Sequence, residues 1–393
     1  MDHPERFSDL PEYAFPRLRR LLDAHAPGGS PIVMSIGEPK HPFPAEATEL
    51  LASHSGEFAI YPPNDGAPEL LNAIAGWIGR RYGVAVDPLR EVMVLNGTRE
   101  GLFNAALALC PEEKSGARPA ILMPNPFYQV YAAAALAAKA EPVYVPAVAE
   151  TGFLPDYAAL PREILDRAAI VYLCSPANPQ GAVASEGYWR ALIALAEKHN
   201  FRIFADECYS EIYREAPPSG ALQIARGMGA DSEKVAIFHS LSKRSNMPGL
   251  RSGFVAGGPE SISRIRRLRA YAGAPIPLPL QRVSEWLWAD EAHVERNRAL
   301  YAEKYRMADA VFEGVEGYLP PEAGLFLWLP VEDGEAATLK LWTETGVRAL
   351  PGAYLGRETE TGNPGSGHIR VAIVAPIDEL QPALARIRDC IYG

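Results

Sequence analysis

The chain has 393 residues, 48% of them hydrophobic and 22% charged, the make-up of a soluble globular protein long enough for two cores. Its 48 acidic residues outnumber 38 Lys and Arg, and the formal net charge of −10 excludes the basic face that a nucleic-acid or anionic-membrane partner requires. Small molecules are the expected ligands and no membrane span is expected, because the most apolar helical run, near Tyr131, is interrupted by Lys139 and Glu141.

In chain order, MDHPERFSDLPEYAF lacks the basic and apolar regions of a secretory signal, so a cytoplasmic location is expected. The arm that continues through PEYAFPRLRRLLDAH and PIVMSIGEP is too short to be a domain and is expected to pack on a smaller C-terminal one. Over 90–254, EVMVLN, AILMPNP, AAIVYLCSP, FRIFADE, VAIFHS and GFVAGG read as buried strands, with helical patterns between them. That alternation predicts an α/β fold: a mostly parallel sheet covered by helices on both faces, with its ligand crevice at the carboxyl ends of the strands. Helical patterns over 262–269 and 289–314 lead into LFLWLP and HIRVAIV, which predict a smaller α+β domain. Four cysteines and eight histidines show no CxxC, HxH or HExxH spacing, so neither a disulfide framework nor a metal site is expected.

The strand ends carry Asn96-Gly97-Thr98, Asn125-Pro-Phe127-Tyr128, Asn178-Pro179, Asp206-Glu-Cys-Tyr209 and Ser240-Leu-Ser242-Lys243, with Arg251 beyond. Each has an ordinary use: Gly97 and Thr98 in a turn, Asp206 as a helix cap, Tyr128 in a core, Asn178 in a turn, Lys243 in solvent. Taken jointly they complement one another. Gly97 and Thr98 open a helix whose free N–H groups and hydroxyl suit a phosphate. Tyr128 suits the face of an aromatic ring and Asn178 its phenolic oxygen, while a partly desolvated Asp206 calls for a protonated ring nitrogen. With a lysine placed to form a Schiff base, the ligand so described is pyridoxal 5′-phosphate.

Over nearly its full length the sequence resembles the class I/II aminotransferases, fold type I of the pyridoxal-phosphate enzymes. GEP at Gly37, YPPNDGAPEL from Tyr61, NGT at Asn96, NPFYQVY, SPANPQG at Ser175, DECY at Asp206, SLSK with GLRSGF, and HIRVA at His368 carry the resemblance, in that order. It implies a large cofactor-binding domain, 45–285, on a mostly parallel seven-stranded sheet flanked by helices, and a smaller α+β domain from 1–44 and 286–393. It further implies Lys243 as the cofactor-bearing lysine and proton shuttle, Asp206 as partner of the ring nitrogen, and Tyr209 and Asn178 as donors to the ring oxygen. Tyr128 becomes the ring stacker, and Gly97, Thr98, Ser240, Ser242 and Arg251 the phosphate shell, with Arg99 also counted in the cofactor site. Arg370 matches the arginine that grips the substrate α-carboxylate, helped by Asn178 and the backbone at Gly37. Tyr61 matches a tyrosine that reaches the neighbouring subunit's cofactor, which implies a homodimer with shared active sites.

SKRSNMPGLRSGFVAGG and PEYAFPRLRRLL are most similar to N-succinyl-L,L-diaminopimelate aminotransferases of lysine biosynthesis. The expected reaction is therefore amino transfer between N-succinyl-L,L-diaminopimelate and 2-oxoglutarate, with Lys40, Arg99 and Arg244 the candidate cations for the distal carboxylate. Aspartate, alanine or aromatic specificity, or a pyridoxal-phosphate C–S lyase on the same cradle, are the alternatives.

Overall fold

A computed structural model describes residues 5–8, 10 and 12–393; the readings of the N-terminal leader and small domain at residues 1–4, 9 and 11 lie outside the described residues. The strands are β1 (Ile32–Val33), β2 (Val92–Leu95), β3 (Ala120–Asn125), β4 (Glu141–Pro146), β5 (Ala168–Cys174), β6 (Arg202–Asp206), β7 (Val235–Ser240), β8 (Gly253–Gly257), β9 (Phe326–Pro330), β10 (Val347–Arg348), β11 (Leu350–Pro351) and β12 (His368–Ala372). Seven of them form the main sheet in the order β2-β8-β7-β6-β5-β3-β4. Strand β8 runs antiparallel to both neighbours and every other pair is parallel.

Burial on both faces explains why these strands read as continuous apolar runs. Along β5, Val171 and Leu173 enter one core with Trp77, Trp189 and Trp288, while Ile170 and Tyr172 enter the opposite core with Leu102, Tyr131 and Phe238. Helices Pro68–Tyr82 and Leu278–Ala289 cover the first face, and Thr98–Leu109, Val130–Ala137 and Pro259–Ala272 the second. Among the elements that escaped the pattern reading, two did so because of prolines. Strand β4, EPVYVP, lies at the sheet edge, half-buried and bounded by prolines, so it shows neither alternation nor a continuous apolar run. Helix Leu278–Ala289 starts on a proline-rich stretch, which masks an apolar face that carries Val283, Leu287 and Trp288.

A second core gathers Met34, Tyr301, Tyr305, Leu327, Leu329, Ile369 and Val371 around the antiparallel sheet β11-β12-β9. The N-terminal arm joins this part of the molecule: β1 pairs in parallel with β10, and Ala14, Leu18 and Leu22 of helix Ala14–Leu22 pack on Trp328, Leu350 and Tyr354. No helix among the described residues is long and apolar enough to cross a membrane. The main sheet presents the carboxyl ends of β3, β5, β6 and β7 side by side, so Asn125, Cys174, Asp206 and Ser240 emerge along one rim.

Helix Ala292–Phe312 buries an unexpected charge. Lys304 is 0% exposed, its Nζ has no hydrogen-bond partner, and it lies 5.1 Å from the Tyr301 ring centroid. Burial, then the charge of Lys40, lowers its pKa from 10.5 to about 7. Between those values the unfolded chain holds a proton that the folded protein has lost, so this residue's contribution to stability rises with pH across that window. Lys304→Met is therefore expected to stabilise the protein most at and below about pH 7, the gain shrinking by about 1 kcal/mol per pH unit as alkalinity increases. Denaturant midpoints measured near neutrality and about two units above it check this; a gain that does not change with pH would rule out a titrating Lys304.

Candidate active site

The rim opens into a cavity of about 300 Å³ between the main sheet and the smaller sheet. Gly37, Thr98, Arg99, Tyr128, Asn178, Asp206, Tyr209, Ser240, Ser242, Lys243, Arg251 and Arg370 all line it. Most of these positions converge because they end or follow strands, or open a helix, at the same end of the main sheet, while Gly37 on the N-terminal arm and Arg370 on β12 reach the cavity from the smaller sheet's side.

One end of the cavity is built for an anion. Helix Thr98–Leu109 begins after Gly97, whose φ of 79° is the left-handed region open to glycine, and its first N–H groups have no intrahelical acceptor. A Cβ on Gly97 would stand 2.3 Å from Arg251 Nη2, so the glycine also makes room for that guanidinium. Arg251 donates to the carbonyls of Pro248 (2.8 Å) and Asn96 (3.2 Å), which aim it across the helix start. Ser240 donates to Ser242 Oγ at 2.8 Å and accepts the Ser242 N–H at 3.0 Å, placing two hydroxyls beside it.

Asp206 closes β6 and is 4% exposed, and burial raises its pKa above the ordinary carboxylate value. It accepts a hydrogen bond from the Tyr131 hydroxyl at 2.8 Å and a longer one from the Cys208 N–H at 3.4 Å. The helix-cap alternative fails, since residues 207–211 form a turn and the next helix starts at Ala221. Tyr209, on that turn, packs edge-on against Phe326 at 5.9 Å, and burial keeps its phenol protonated. Tyr128 accepts from Arg99 Nε at 2.8 Å and meets Tyr131 edge-on at 5.7 Å.

Lys243 and Arg370 complete the cavity. Lys243 lies in the one-turn helix Leu241–Arg244 and donates to the Gly37 carbonyl; burial lowers its pKa from 10.5 to about 8, with Arg370 and Arg251 pushing the same way. Arg370 sits on β12 between Ile369 and Val371, which face the second core, so strand alternation turns it to the opposite face. It is 4% exposed, donates to Asn178 Oδ1 and the Ser35 carbonyl at 2.8 Å each, and stacks 4.1 Å above the Phe326 ring. Its Nε has no partner and, among the described residues, no carboxylate pairs with it. Burial lowers its pKa to about 10, which leaves it charged at neutral pH. Bonding Arg370 through Oδ1 leaves the Asn178 amide hydrogens free to donate elsewhere.

The structure separates the three distal-carboxylate candidates. Arg99 lines the cavity. Arg244 does not: it is 2% exposed and bound by the carbonyls of Leu287 and Asp290 and by the Glu291 carboxylate. Lys40 is exposed outside it. Tyr61 is likewise remote from the cavity of its own chain, fully exposed on a surface it shares with Phe58 and Ile60. The sequence reading missed Tyr131, Phe326, Tyr13, Phe15 and Gln129. Only Tyr131 carried a signal, its place three residues after Tyr128 in NPFYQVY at the start of an apolar helical run.

The family model for aminotransferase class I and II matches residues 30–387. An LL-diaminopimelate aminotransferase of Dehalococcoides mccartyi is 32% identical over 98% of each chain. Among solved structures, an aminotransferase from Neisseria meningitidis is 38% identical with a TM-score of 0.93, covering 98% of this chain and 99% of that one. A probable N-succinyldiaminopimelate aminotransferase from Thermus thermophilus is 29% identical with a TM-score of 0.83, covering 96% of this chain and 100% of that one. The chain thus belongs to aminotransferase class I and II, with the fold type I architecture, pyridoxal-phosphate dependence and amino-acid/2-oxo-acid exchange of that family.

Proposed function

We propose that the chain transfers an amino group between N-succinyl-L,L-diaminopimelate and 2-oxoglutarate, with Lys243 carrying the cofactor and Arg370 gripping the α-carboxylate of either substrate. The observation behind this is a buried guanidinium with no carboxylate partner among the described residues, lining the same cavity as a lysine whose ammonium is destabilised. The residues present suit pyridoxal phosphate. The start of helix Thr98–Leu109, Ser240, Ser242 and Arg251 would hold the phosphate, and a Gly97 side chain would fill that space. Tyr128 would cover the ring, Asn178 and Tyr209 would donate to its oxygen, and Asp206 would gain from the ring nitrogen the positive charge it lacks. When bound, the cofactor supplies an electron-poor ring that accepts the electron pair left when the substrate Cα loses its proton. Lys243 Nζ is the base that takes that proton and later returns one, and burial favours its neutral, proton-accepting form.

The distal end of the substrate supports the acylated reading. Tyr13, Phe15 and Leu355 give the cavity apolar lining and Arg99 gives it a cation, while Asp206 is the sole acidic side chain among the lining residues. A succinyl carboxylate suits Arg99, whereas the second ammonium of free L,L-diaminopimelate finds no carboxylate beside Arg99 among the described lining residues, Glu38 acting on Lys243 from outside that lining. The curated relatives favour that unacylated compound, and it is the competing reading. The proposal includes a homodimer, supported by the exposed Phe58, Ile60 and Tyr61, and domains of 45–285 and 1–44 with 286–393. Helix Leu278–Ala289 packs with the large core through Val283, Leu287 and Trp288, so a boundary after residue 285 cuts it and belongs beyond Ala289.

Lys243→Ala is expected to lose at least about a thousandfold in transamination, and borohydride treatment of the wild type to fix the cofactor on the peptide containing Lys243. Mixing that variant with an inactive Tyr61→Ala protein should recover part of the activity through hybrid dimers; an active monomer, or a label elsewhere, contradicts the proposal. Tyr131→Phe removes a donor that favours ionised Asp206, so the Asp206 pKa moves further up and the acid limb of the pH–activity profile shifts to higher pH, with kcat about tenfold lower. An unmoved acid limb would exclude this role. In single-turnover half-reactions followed at the cofactor band, N-succinyl-L,L-diaminopimelate should exceed free L,L-diaminopimelate, aspartate, alanine and aromatic amino acids in rate constant per molar. Arg99→Gln should narrow that lead by about tenfold or more. A higher value for the free diamino acid transfers the assignment to the unacylated substrate, and cystathionine cleavage to pyruvate would favour a lyase.

A further inference from the structure

Helix Leu241–Arg244, which carries Lys243, has four residues, too few to hold its shape or place unaided. The three residues after Lys243 are anchored with unusual density. Arg244, Ser245 and Asn246 are 2%, 0% and 9% exposed, and their side chains bond to residues of the segment that joins helices Leu278–Ala289 and Ala292–Phe312, or to the latter helix itself. Ser245 is the central link. Its N–H donates to the Leu241 carbonyl at 3.0 Å, closing the last turn of the lysine's helix, and its hydroxyl lies 2.8 Å from His293 Nε2. On its other side, His293 Nδ1 is 2.6 Å from Asp290 Oδ2, which also accepts the His293 N–H at 3.0 Å.

Asp290, His293 and Ser245 thus stand in the hydrogen-bonding order of a hydrolytic triad. Ser245 nevertheless cannot serve as a nucleophile, because it is fully buried and lines neither the active-site cavity nor the pocket that His293 borders. The relay's polarity is set from the far end. The Asp290 carboxylate accepts a hydrogen bond from Nδ1–H and burial disfavours a second proton on the ring, so Nε2 accepts from the Ser245 hydroxyl. The serine that ends the lysine's helix is held in one direction, by a residue in the first turn of a helix that runs into the second core.

We propose that Ser245 and His293 are positioning residues for Lys243, transmitting the placement of helix Ala292–Phe312 to the reacting amine through the Asp290–His293–Ser245 relay. The proposal rests on Lys243 being the cofactor-bearing lysine. The charged groups facing Lys243 are Arg370, Arg251 and Glu38, with the Cys208 thiol beside them, and those facing His293 are Asp290, Arg244 and Arg296. None is altered by deleting the Ser245 hydroxyl, so a change at the amine after that deletion reports geometry.

The test compares wild-type holoenzyme with Ser245→Ala, His293→Gln and His293→Leu, reading kcat per bound cofactor, KM for the amino donor, the pH midpoint of the long-wavelength cofactor band, and Tm. Ser245→Ala is expected to lower kcat by about tenfold with KM little changed, and to move the band midpoint by about half a unit, as displacement of a reacting group does. His293→Gln, which keeps an acceptor for Ser245, should retain more kcat than His293→Leu. A fall in Tm with kcat and band midpoint unmoved would make the relay a packing element and overturn the proposal. Lys243→Ala serves as the reference: if it loses the band while Ser245→Ala leaves the band unmoved, the relay alone fails. A borohydride-fixed band that survives in Lys243→Ala removes the role of Lys243 and the proposal with it.

Discussion

Asp206 and Arg370 are buried and Lys243 half-buried at the cavity wall, and among the described residues none is bonded to an opposite charge. Stranding a charge in this way typically costs about 3–5 kcal/mol, against about 5–15 kcal/mol of net stability for a whole domain. Such a site survives only on a scaffold that holds it firmly. The two faces of the main sheet supply that firmness, with Trp77, Trp189 and Trp288 fully buried on one and the stacked pair Tyr131 and Tyr172 on the other, their rings 4.3 Å apart. On the proposed reading a reactant would supply what each group lacks: a cation for Asp206, an electrophilic carbonyl for the neutral Lys243 amine, and a carboxylate for Arg370.

Holding these groups in mutual register is a separate problem, and Glu207 addresses half of it. Next to Asp206 and 1% exposed, it accepts from Tyr82 at 3.0 Å and from the Ala221 N–H at 2.7 Å, and pairs with His239 at 3.0 Å. His239 immediately precedes Ser240, so this pair ties the end of β6 to the end of β7 and fixes Asp206 relative to the lysine's helix. The other half is the seam between the two cores. There Arg370 reaches Asn178 on one side and Ser35 on the other, and Gly37 admits Phe326 so closely that a Cβ would stand 2.4 Å from its ring.

The strand ends were legible in the sequence because a parallel sheet imposes a simple rule: apolar run, then function. Asp206 and Ser240 close such runs, Asn178 stands shortly beyond the one that ends at Cys174, and the order of motifs supplied what single residues could not. Partners across the fold were not legible. Periodicity assigns Tyr131 to a buried helix face, yet says nothing about the carboxylate its hydroxyl meets 75 residues away. Phe326 read simply as part of an apolar strand. Arg244 and Arg99 looked equivalent as basic residues beside motifs; whether a guanidinium faces a cavity or a row of carbonyls is decided by tertiary packing. Helix Leu278–Ala289 and edge strand β4 were hidden by prolines that the fold tolerates at a helix start and at a sheet edge.

Arg370 and the Ser35 carbonyl that orients it are 335 residues apart, and Lys243 and Gly37 are 206 apart. A ribosome delivers these partners in sequence. The last strand of the main sheet is complete at Gly257, so the large core has all its strands before Arg370 has been translated. During that interval the segment around Gly37 lacks both its β10 partner and the guanidinium that Ser35 receives, and must stay unpaired or pair wrongly. Contacts of such long range are the slow ones in folding, because chain must be closed into large loops before they form. A product that ended early would thus carry every strand of the main sheet and still lack Arg370, and the N-terminal arm, translated first, waits longest for its partners.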